Sequence, residues 1–205
     1  MVTLTGAPGI GKTRLAGEVA SRVGETFPDG AWVVDLAPIQ EGALVAQSVA
    51  SALGLREMAS RDPAQSLVDH VRDRHLLIVL DNCEHLLDPC VALAEEVLRS
   101  APRVSMLVTS RERLGLEGER VFMVGPLALP VGASPDGDRD VSQSEAGELF
   151  LARARAVQPG FSVTPGTVPA LVEICRRTEG IPLAIELVAA RGGVGVTSRD
   201  RHRPG

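Results

Sequence analysis

Apolar and polar residues follow one another along the chain in two distinct patterns. Short runs rich in Val, Leu and Ile lie at 2–5, 31–36, 75–82, 104–110 and 120–125. Between them are longer stretches in which apolar residues recur every three or four positions. The first pattern predicts strands and the second predicts amphipathic helices. The predicted helices cover 12–24, 41–55, 63–73 and 88–101, with Asp88 as the N-cap of the last.

The run at 75–82, HLLIVLDN, is apolar almost throughout and closes with the carboxylate of Asp81. Such a run is typical of a strand buried on both faces, in the middle of a parallel sheet. Five strands with helices between them predict a three-layer α/β sandwich with right-handed crossovers. Aromatic residues make up only 2% of the chain, so the core is expected to be aliphatic.

The pattern changes after Leu129. Residues 130–140, PVGASPDGDRD, are polar and turn-forming and predict a linker. Helical periodicity at 142–157, 167–180 and 182–191 predicts a small helical subdomain over 141–191. The tail, 192–205, has no apolar face and is expected to be disordered. The predicted domain that precedes the linker covers 1–129.

Charge and cysteine content exclude several classes of function. The net charge is −5 and the isoelectric point is about 5.4, so direct DNA binding by this chain and binding to an anionic membrane are not expected. Cys83, Cys90 and Cys175 lack the spacing of metal ligands, and no apolar run is long enough to span a membrane. We therefore expect a cytoplasmic protein with reduced thiols packed as small hydrophobic groups.

The stretch GAPGIGKT matches the phosphate-loop pattern G-x-x-x-x-G-K-S/T in full. Because it leaves a strand and opens a helix, its backbone N–H groups and the helix dipole favour a bound polyphosphate. Lys12 is the single lysine among 21 basic residues. Its compact ammonium can reach the β- and γ-phosphates where a planar guanidinium would not fit. The predicted nucleotide-binding residues are Gly6, Ala7, Pro8, Gly9, Ile10, Gly11, Lys12, Thr13 and Arg14.

Asp81 and Thr13 are the candidate magnesium residues. A carboxylate at the carboxyl end of a buried strand can hold Mg²⁺ through water while the Thr13 hydroxyl binds the ion directly. The alternative is that Asp81 only caps a helix or stabilises a turn. Asn82 follows, where many hydrolytic P-loop enzymes carry a glutamate that polarises the attacking water. An amide cannot accept that proton, so fast hydrolysis is not expected.

Arg111 follows the strand at 104–110 and is a candidate sensor of the γ-phosphate. The alternative is an exposed arginine on a loop. Glu84 and His85 suggest acid–base or metal chemistry, but no partner spacing supports a metal site. A structural or polar-surface role is favoured for both residues. The predicted catalytic set is therefore Lys12, Asp81 and Arg111.

Five segments occur together and in order: TLTGAPGIGKTRLA, LLIVLDNCEHLLD, MLVTSRERLGLEGE, PLALP and TEGIPLAIELVAAR. In this combination the chain resembles the NB-ARC-like STAND nucleotide switches of large bacterial LuxR-type and SARP-type transcriptional regulators, a class of P-loop NTPases. The resemblance covers about residues 2–191. It implies a sheet of order 5-1-4-3-2, ATP or ADP with Mg²⁺ as ligands, and an ARC1-like helical subdomain. It also implies that Pro182 packs near the adenine.

The resemblance implies a switch in which ADP or ATP lies between the sheet and the helical subdomain, with slow or no hydrolysis and with protein partners or self-association as the output. Members of the family normally have further segments on both sides, so the chain is expected to be a module cut at both ends. Three alternatives remain open: an active AAA+-type ATPase, a small-molecule kinase and a remnant that binds nothing. Lys12→Ala is expected to abolish binding and to leave the fold intact, because the loop is expected to be exposed.

Overall fold

A computed structural model describes residues 1–55, 62–130 and 141–192. It divides into two compact units, of which the first is Met1–Val124 and the second begins at Gly125. The predicted linker, except for its first residue, and the predicted disordered tail after Gly192 lie outside the described residues.

The first unit is built on a five-stranded sheet in which every neighbouring pair is parallel. The strand order is β2-β3-β4-β1-β5, which is the order that the resemblance implies, counted from the other edge. All five predicted strands are confirmed, with ends that shift by one or two residues. The strands are β1 (Val2–Thr5), β2 (Ala31–Asp35), β3 (Leu77–Asp81), β4 (Ser105–Thr109) and β5 (Arg120–Met123).

Four helices accompany the sheet: α1 (Lys12–Val23), α2 (Leu44–Ala52), α3 (Pro63–Val71) and α4 (Leu87–Ser100). The α3 helix begins as its sequence suggests, since the Asp62 side chain accepts a hydrogen bond from the Ala64 amide and Pro63 opens the first turn. The prediction of Asp88 as an N-cap was wrong. The short 3₁₀ turn Cys83–His85 runs almost directly into α4, so the chain is already helical at Leu87 and Asp88 lies inside the first turn.

Alternate residues of β3 face two separate cores, because side chains of a strand point to opposite sides. Leu77 and Val79 pack with Ala16 and Ala20 of α1. Ile78 and Leu80 belong to the larger core, which α2, α3 and α4 cover. All five residues of β3 are buried. The three-layer sandwich and the doubly buried central strand are therefore both confirmed.

The described part of the second unit is built mainly of helices. Its three longer helices are α5 (Glu145–Val157), α6 (Val168–Arg177) and α7 (Pro182–Gly192). Phe150, Leu171 and Ile185 are fully buried in its core. Gly180 has φ +69°, and a Cβ there would lie 2.3 Å from the Leu127 carbonyl oxygen. This close approach explains the glycine that precedes the IPL segment.

The three cysteines are buried and form no disulfide, as predicted. A hydrogen bond with Cys90, together with burial, raises the pKa of the Cys83 thiol well above its ordinary range, and burial raises the pKa of Cys175. Both thiols therefore stay protonated and behave as small apolar groups. Within the described ranges, no helix has the length and apolar character needed to cross a membrane.

Candidate functional site

The phosphate-loop segment joins β1 to α1 through a backbone path that only glycine adopts easily. Gly6, Gly9 and Gly11 have φ values of +146°, +75° and +97°. A Cβ on Gly6 would lie 2.7 Å from the Val124 carbonyl oxygen. Gly11 is the residue that precedes α1, so the loop ends at the amino end of that helix. The segment thus has the shape and the dipole of an anion-binding loop.

Lys12 is the first residue of α1, and its side chain lies beneath the loop. The ammonium Nζ donates to the Gly6 carbonyl at 2.9 Å and to the Ala7 carbonyl at 3.3 Å. The residue is only 9% exposed, although Ala7 and Pro8 at the tip are exposed. The tip of the loop is thus exposed as expected, whereas the Lys12 side chain is nearly buried and bonds the loop, so an intact fold in Lys12→Ala stays a prediction.

Asp81 ends β3 and contacts the predicted magnesium partner. Its Oδ1 accepts a hydrogen bond from the Thr13 hydroxyl at 3.0 Å, across 68 residues of sequence, and a second from the Thr109 hydroxyl. Asp81 is 3% exposed and Thr109 is fully buried. A carboxylate and a hydroxyl are hard oxygen ligands that suit Mg²⁺. The two predicted magnesium residues are thus in contact, and their role in binding the ion stays a prediction.

Asn82 has left-handed backbone angles, φ 62° and ψ 47°, which asparagine tolerates better than most residues. Its Nδ2 donates to Asp35 Oδ1 at 3.0 Å and to Asp81 Oδ2 at 3.3 Å. Because carboxylates only accept, the amide nitrogen must face both acids and the amide oxygen must face away from them. Asp35, which pairs in register with Asp81 on the neighbouring strand, was not predicted.

We expect Asn82→Asp to destabilise the first unit by about 1–3 kcal/mol at pH 7, because it removes a donor from between two carboxylates and adds a like charge. Denaturant unfolding followed by Trp32 fluorescence measures this loss, since Trp32 is the chain's single tryptophan and lies on β2.

A matched control exchanges the two groups. In the double variant Asp35→Asn with Asn82→Asp, the amide and the carboxylate swap positions, and we expect it to recover about half or more of the lost stability at pH 7. Wild-type stability in the single variant would contradict the assigned orientation of the Asn82 amide.

Arg111 lies just beyond β4, and its Nε donates to Glu84 Oε1 at 3.1 Å. The two residues are 27 positions apart in the sequence. Sequence analysis had favoured a structural or polar-surface role for Glu84. The pair lies on a cleft of about 370 Å³ at the carboxyl ends of β2, β3 and β4. The cleft is lined by Ala37, Gln40, Asn82, Glu84, His85 and Arg111.

The other predicted site residues are distributed as follows. Ile10 is buried beneath the loop, and Arg14 is exposed on α1. Pro182 is the first residue of α7 in the second unit, and its place beside the adenine stays a prediction. No group of three or more His, Cys, Asp or Glu side chains that could hold a metal occurs among the residues that the structure describes. A magnesium ion bound largely by water and phosphate does not need such a group.

A parallel sheet in the order β2-β3-β4-β1-β5, with a glycine-rich loop after β1 and an aspartate at the end of β3, defines the P-loop NTPase fold. Within that class the chain belongs to the AAA domain family AAA_22, whose model matches residues 1–114.

Relatives and solved structures are similar to this chain over most of its length. "Putative HTH-type transcriptional regulator Rv0890c" of Mycobacterium tuberculosis is 45% identical over 191 residues, which are 93% of this chain and 20% of the relative. The chain thus spans about a fifth of that protein. The crystal structure of Cdc6p from Pyrobaculum aerophilum has a TM-score of 0.61 at 17% identity and covers 94% of this chain and 56% of its own. A STAND protein with a tetratricopeptide repeat sensor, from Pyrococcus horikoshii, has a TM-score of 0.50 at 18% identity and covers 92% and 27%.

Proposed function

We propose that this chain is an ATP/ADP-binding switch module of a STAND-type transcriptional regulator, with slow or no hydrolysis of ATP. The relative from Mycobacterium tuberculosis supports the regulator, and the AAA domain family supports the nucleotide. The observation that carries the proposal is the identity and the orientation of the Asn82 side chain. Asn82 occupies the position after Asp81, and both amide hydrogens are directed to carboxylates.

The loop residues fit a polyphosphate. A Cβ at Gly6 would fill the bend of the loop. The Lys12 ammonium donates to two carbonyl oxygens of the loop, which compete only weakly with a phosphate for it. A phosphate oxygen carries more charge than a carbonyl and makes stronger, charge-assisted hydrogen bonds. We therefore assign Gly6 to Thr13, with Arg14 beside them, to the phosphates.

The Thr13 hydroxyl and the Asp81 carboxylate fit a magnesium ion, since their oxygens already lie 3.0 Å apart. When bound, such an ion neutralises phosphate charge. Asn82 Oδ1 can accept a hydrogen bond from a water molecule and orient it. It cannot take the proton, so the residue that follows Asp81 supplies no general base. Slow turnover follows from this chemistry.

A switch also needs contacts that differ between the two nucleotide states. Arg111, beyond β4, is our candidate to sense a γ-phosphate. Pro182, on the resemblance alone, is our candidate to contact the base. The second unit is then the part of the chain whose arrangement responds. Protein partners or self-association would provide the output, and a bacterial transcriptional regulator would act in the cytoplasm.

Calorimetric titration with ATP and ADP, with and without Mg²⁺, tests the proposal when phosphate release is followed in parallel. We expect ADP to bind at micromolar or weaker affinity, about 8 kcal/mol or less of binding free energy. We expect kcat below about 1 s⁻¹. Failure to bind either nucleotide would overturn the proposal, and faster turnover would favour an active ATPase.

A further inference from the structure

The side chain of Glu84 contacts Arg111, the candidate sensor of the γ-phosphate. We propose that Glu84 is a positioning residue, which holds the Arg111 guanidinium in the orientation that distinguishes a nucleoside triphosphate from a diphosphate. This inference rests on the proposed function and deepens it. It assigns discrimination of the γ-phosphate to a pair of residues instead of to Arg111 alone.

The geometry of the guanidinium supports the assignment. Arg111 contacts Glu84 through Nε, and no other hydrogen bond of Arg111 is found among the described residues. A guanidinium has five N–H donors, so the four on its two terminal nitrogens remain available. The Arg111 side chain is 62% exposed and lines the cleft. Glu84 thus holds the guanidinium at Nε, while the two terminal nitrogens remain free for a bidentate contact with a phosphate.

Arg111 also leaves the sheet beside the phosphate loop. Leu4 and Thr109 are register partners on β1 and β4, and the Ser110 amide donates to the Leu4 carbonyl at 3.1 Å. Two residues after Leu4 the loop begins at Gly6, and two residues after Thr109 the chain reaches Arg111. Arg111 therefore leaves the carboxyl end of the sheet next to the phosphate loop, where the phosphates of a bound nucleotide would lie.

Glu84 is held on a well-fixed turn. The left-handed Asn82 leads into the 3₁₀ turn Cys83–His85, whose first residue is fully buried. The ring nitrogen Nε2 of His85 lies 2.8 Å from the Ile39 carbonyl and ties the turn to the segment after β2. The Glu84 side chain is only 21% exposed. An anchor of this kind loses little conformational freedom when it binds the guanidinium.

The hydrogen bonds of Glu84 argue against a purely structural role. A carboxylate that stabilises a turn accepts hydrogen bonds from backbone amides of that turn. Glu84 Oε1 instead accepts from Arg111, and Oε2 is buried without any hydrogen-bond partner in the described part of the chain. A buried oxygen without a partner is costly, so the gain that keeps this side chain in place comes from the arginine.

The test compares Mg²⁺-bound ADP with a non-hydrolysable ATP analogue by calorimetry, in wild type, Glu84→Ala, Glu84→Gln, Arg111→Ala and the double variant Glu84→Ala with Arg111→Ala. We expect Glu84→Ala to reduce the preference for the triphosphate about 5-fold, with ADP affinity unchanged within about 2-fold. Glu84→Gln should lie between wild type and Glu84→Ala. The double variant should match Arg111→Ala, because Glu84 acts through that residue.

Glu117→Ala is the matched control, since Glu117 is an exposed acid in the loop that follows Arg111. Trp32 fluorescence confirms that each variant is folded, and Glu84→Gln keeps the test decisive if Glu84→Ala does not fold. An unchanged or increased triphosphate preference in the Glu84 variants would overturn the inference, as would additive losses in the double variant. Wild type that binds both nucleotides equally would overturn this inference alone. Wild type that binds neither would overturn the proposed function as well.

Discussion

Replacing Lys12 with alanine is expected to weaken binding of ATP and ADP at least about 100-fold, or about 2.7 kcal/mol of binding free energy. The ammonium is the only positive side chain between Gly6 and Thr13, and it lies within hydrogen-bond distance of two loop carbonyls. The same truncation removes both of those bonds from a nearly buried side chain. We therefore also expect a loss of about 1–2 kcal/mol in unfolding free energy. Calorimetry and Trp32 fluorescence measure the two effects separately.

Two controls isolate the role of the ammonium. Lys12→Arg keeps the charge, but its wide, planar head cannot occupy the same place under the loop, so most of the affinity should still be lost. Arg22→Ala removes an exposed cation from the same helix, where it pairs with Glu18, and should leave affinity unchanged. Retention of wild-type affinity in Lys12→Ala would remove the phosphate-loop assignment.

Asp81→Asn is expected to abolish the increase in ATP affinity that Mg²⁺ produces and to leave metal-free affinity within about 3-fold of wild type. The amide cannot hold a magnesium ion's water as the carboxylate does. Asp81→Ala should in addition destabilise the first unit by about 3 kcal/mol, since it deprives the fully buried Thr109 hydroxyl of its acceptor. Titrations in Mg²⁺ and in a chelator, with Trp32 unfolding, give both quantities.

Asp88→Asn is the matched control for Asp81. Asp88 is exposed in the first turn of α4 and caps nothing through its side chain. Its replacement should change neither the magnesium dependence nor the stability. If Asp81→Asn kept a full response to Mg²⁺, Asp81 would not be the metal-binding acid.

The sheet could be predicted because its information is local. The apolar run of β3 and the glycine spacing before Lys12 each lie within a few consecutive residues, and both reflect backbone constraints that sequence shows directly. The strand order came from the resemblance, since no local pattern encodes which strands are neighbours. The N-cap of α4 was misassigned because a preceding 3₁₀ turn, not a side chain, starts that helix.

The polar contacts at the carboxyl ends of the strands could not be predicted in the same way. Asp35 lies 47 positions from Asn82, and Glu84 lies 27 positions from Arg111. Each pair meets only after the strands are in register. One signal was available for Asp35: like Asp81, it ends a predicted strand, and the carboxyl ends of parallel strands share one edge. For Glu84 the left-handed Asn82 turns the chain unexpectedly toward the cleft, and no sequence signal indicated that.

The position of β1 between β4 and β5 has a consequence for the order of events during translation. Val2 pairs with Leu107 on one side and Arg120 on the other. The ribosome must therefore add about 100 more residues before the first strand has either neighbour, which takes about 5–20 s at ordinary elongation rates. The loop that follows β1 is thus synthesised well before the strand beside it can acquire its final neighbours.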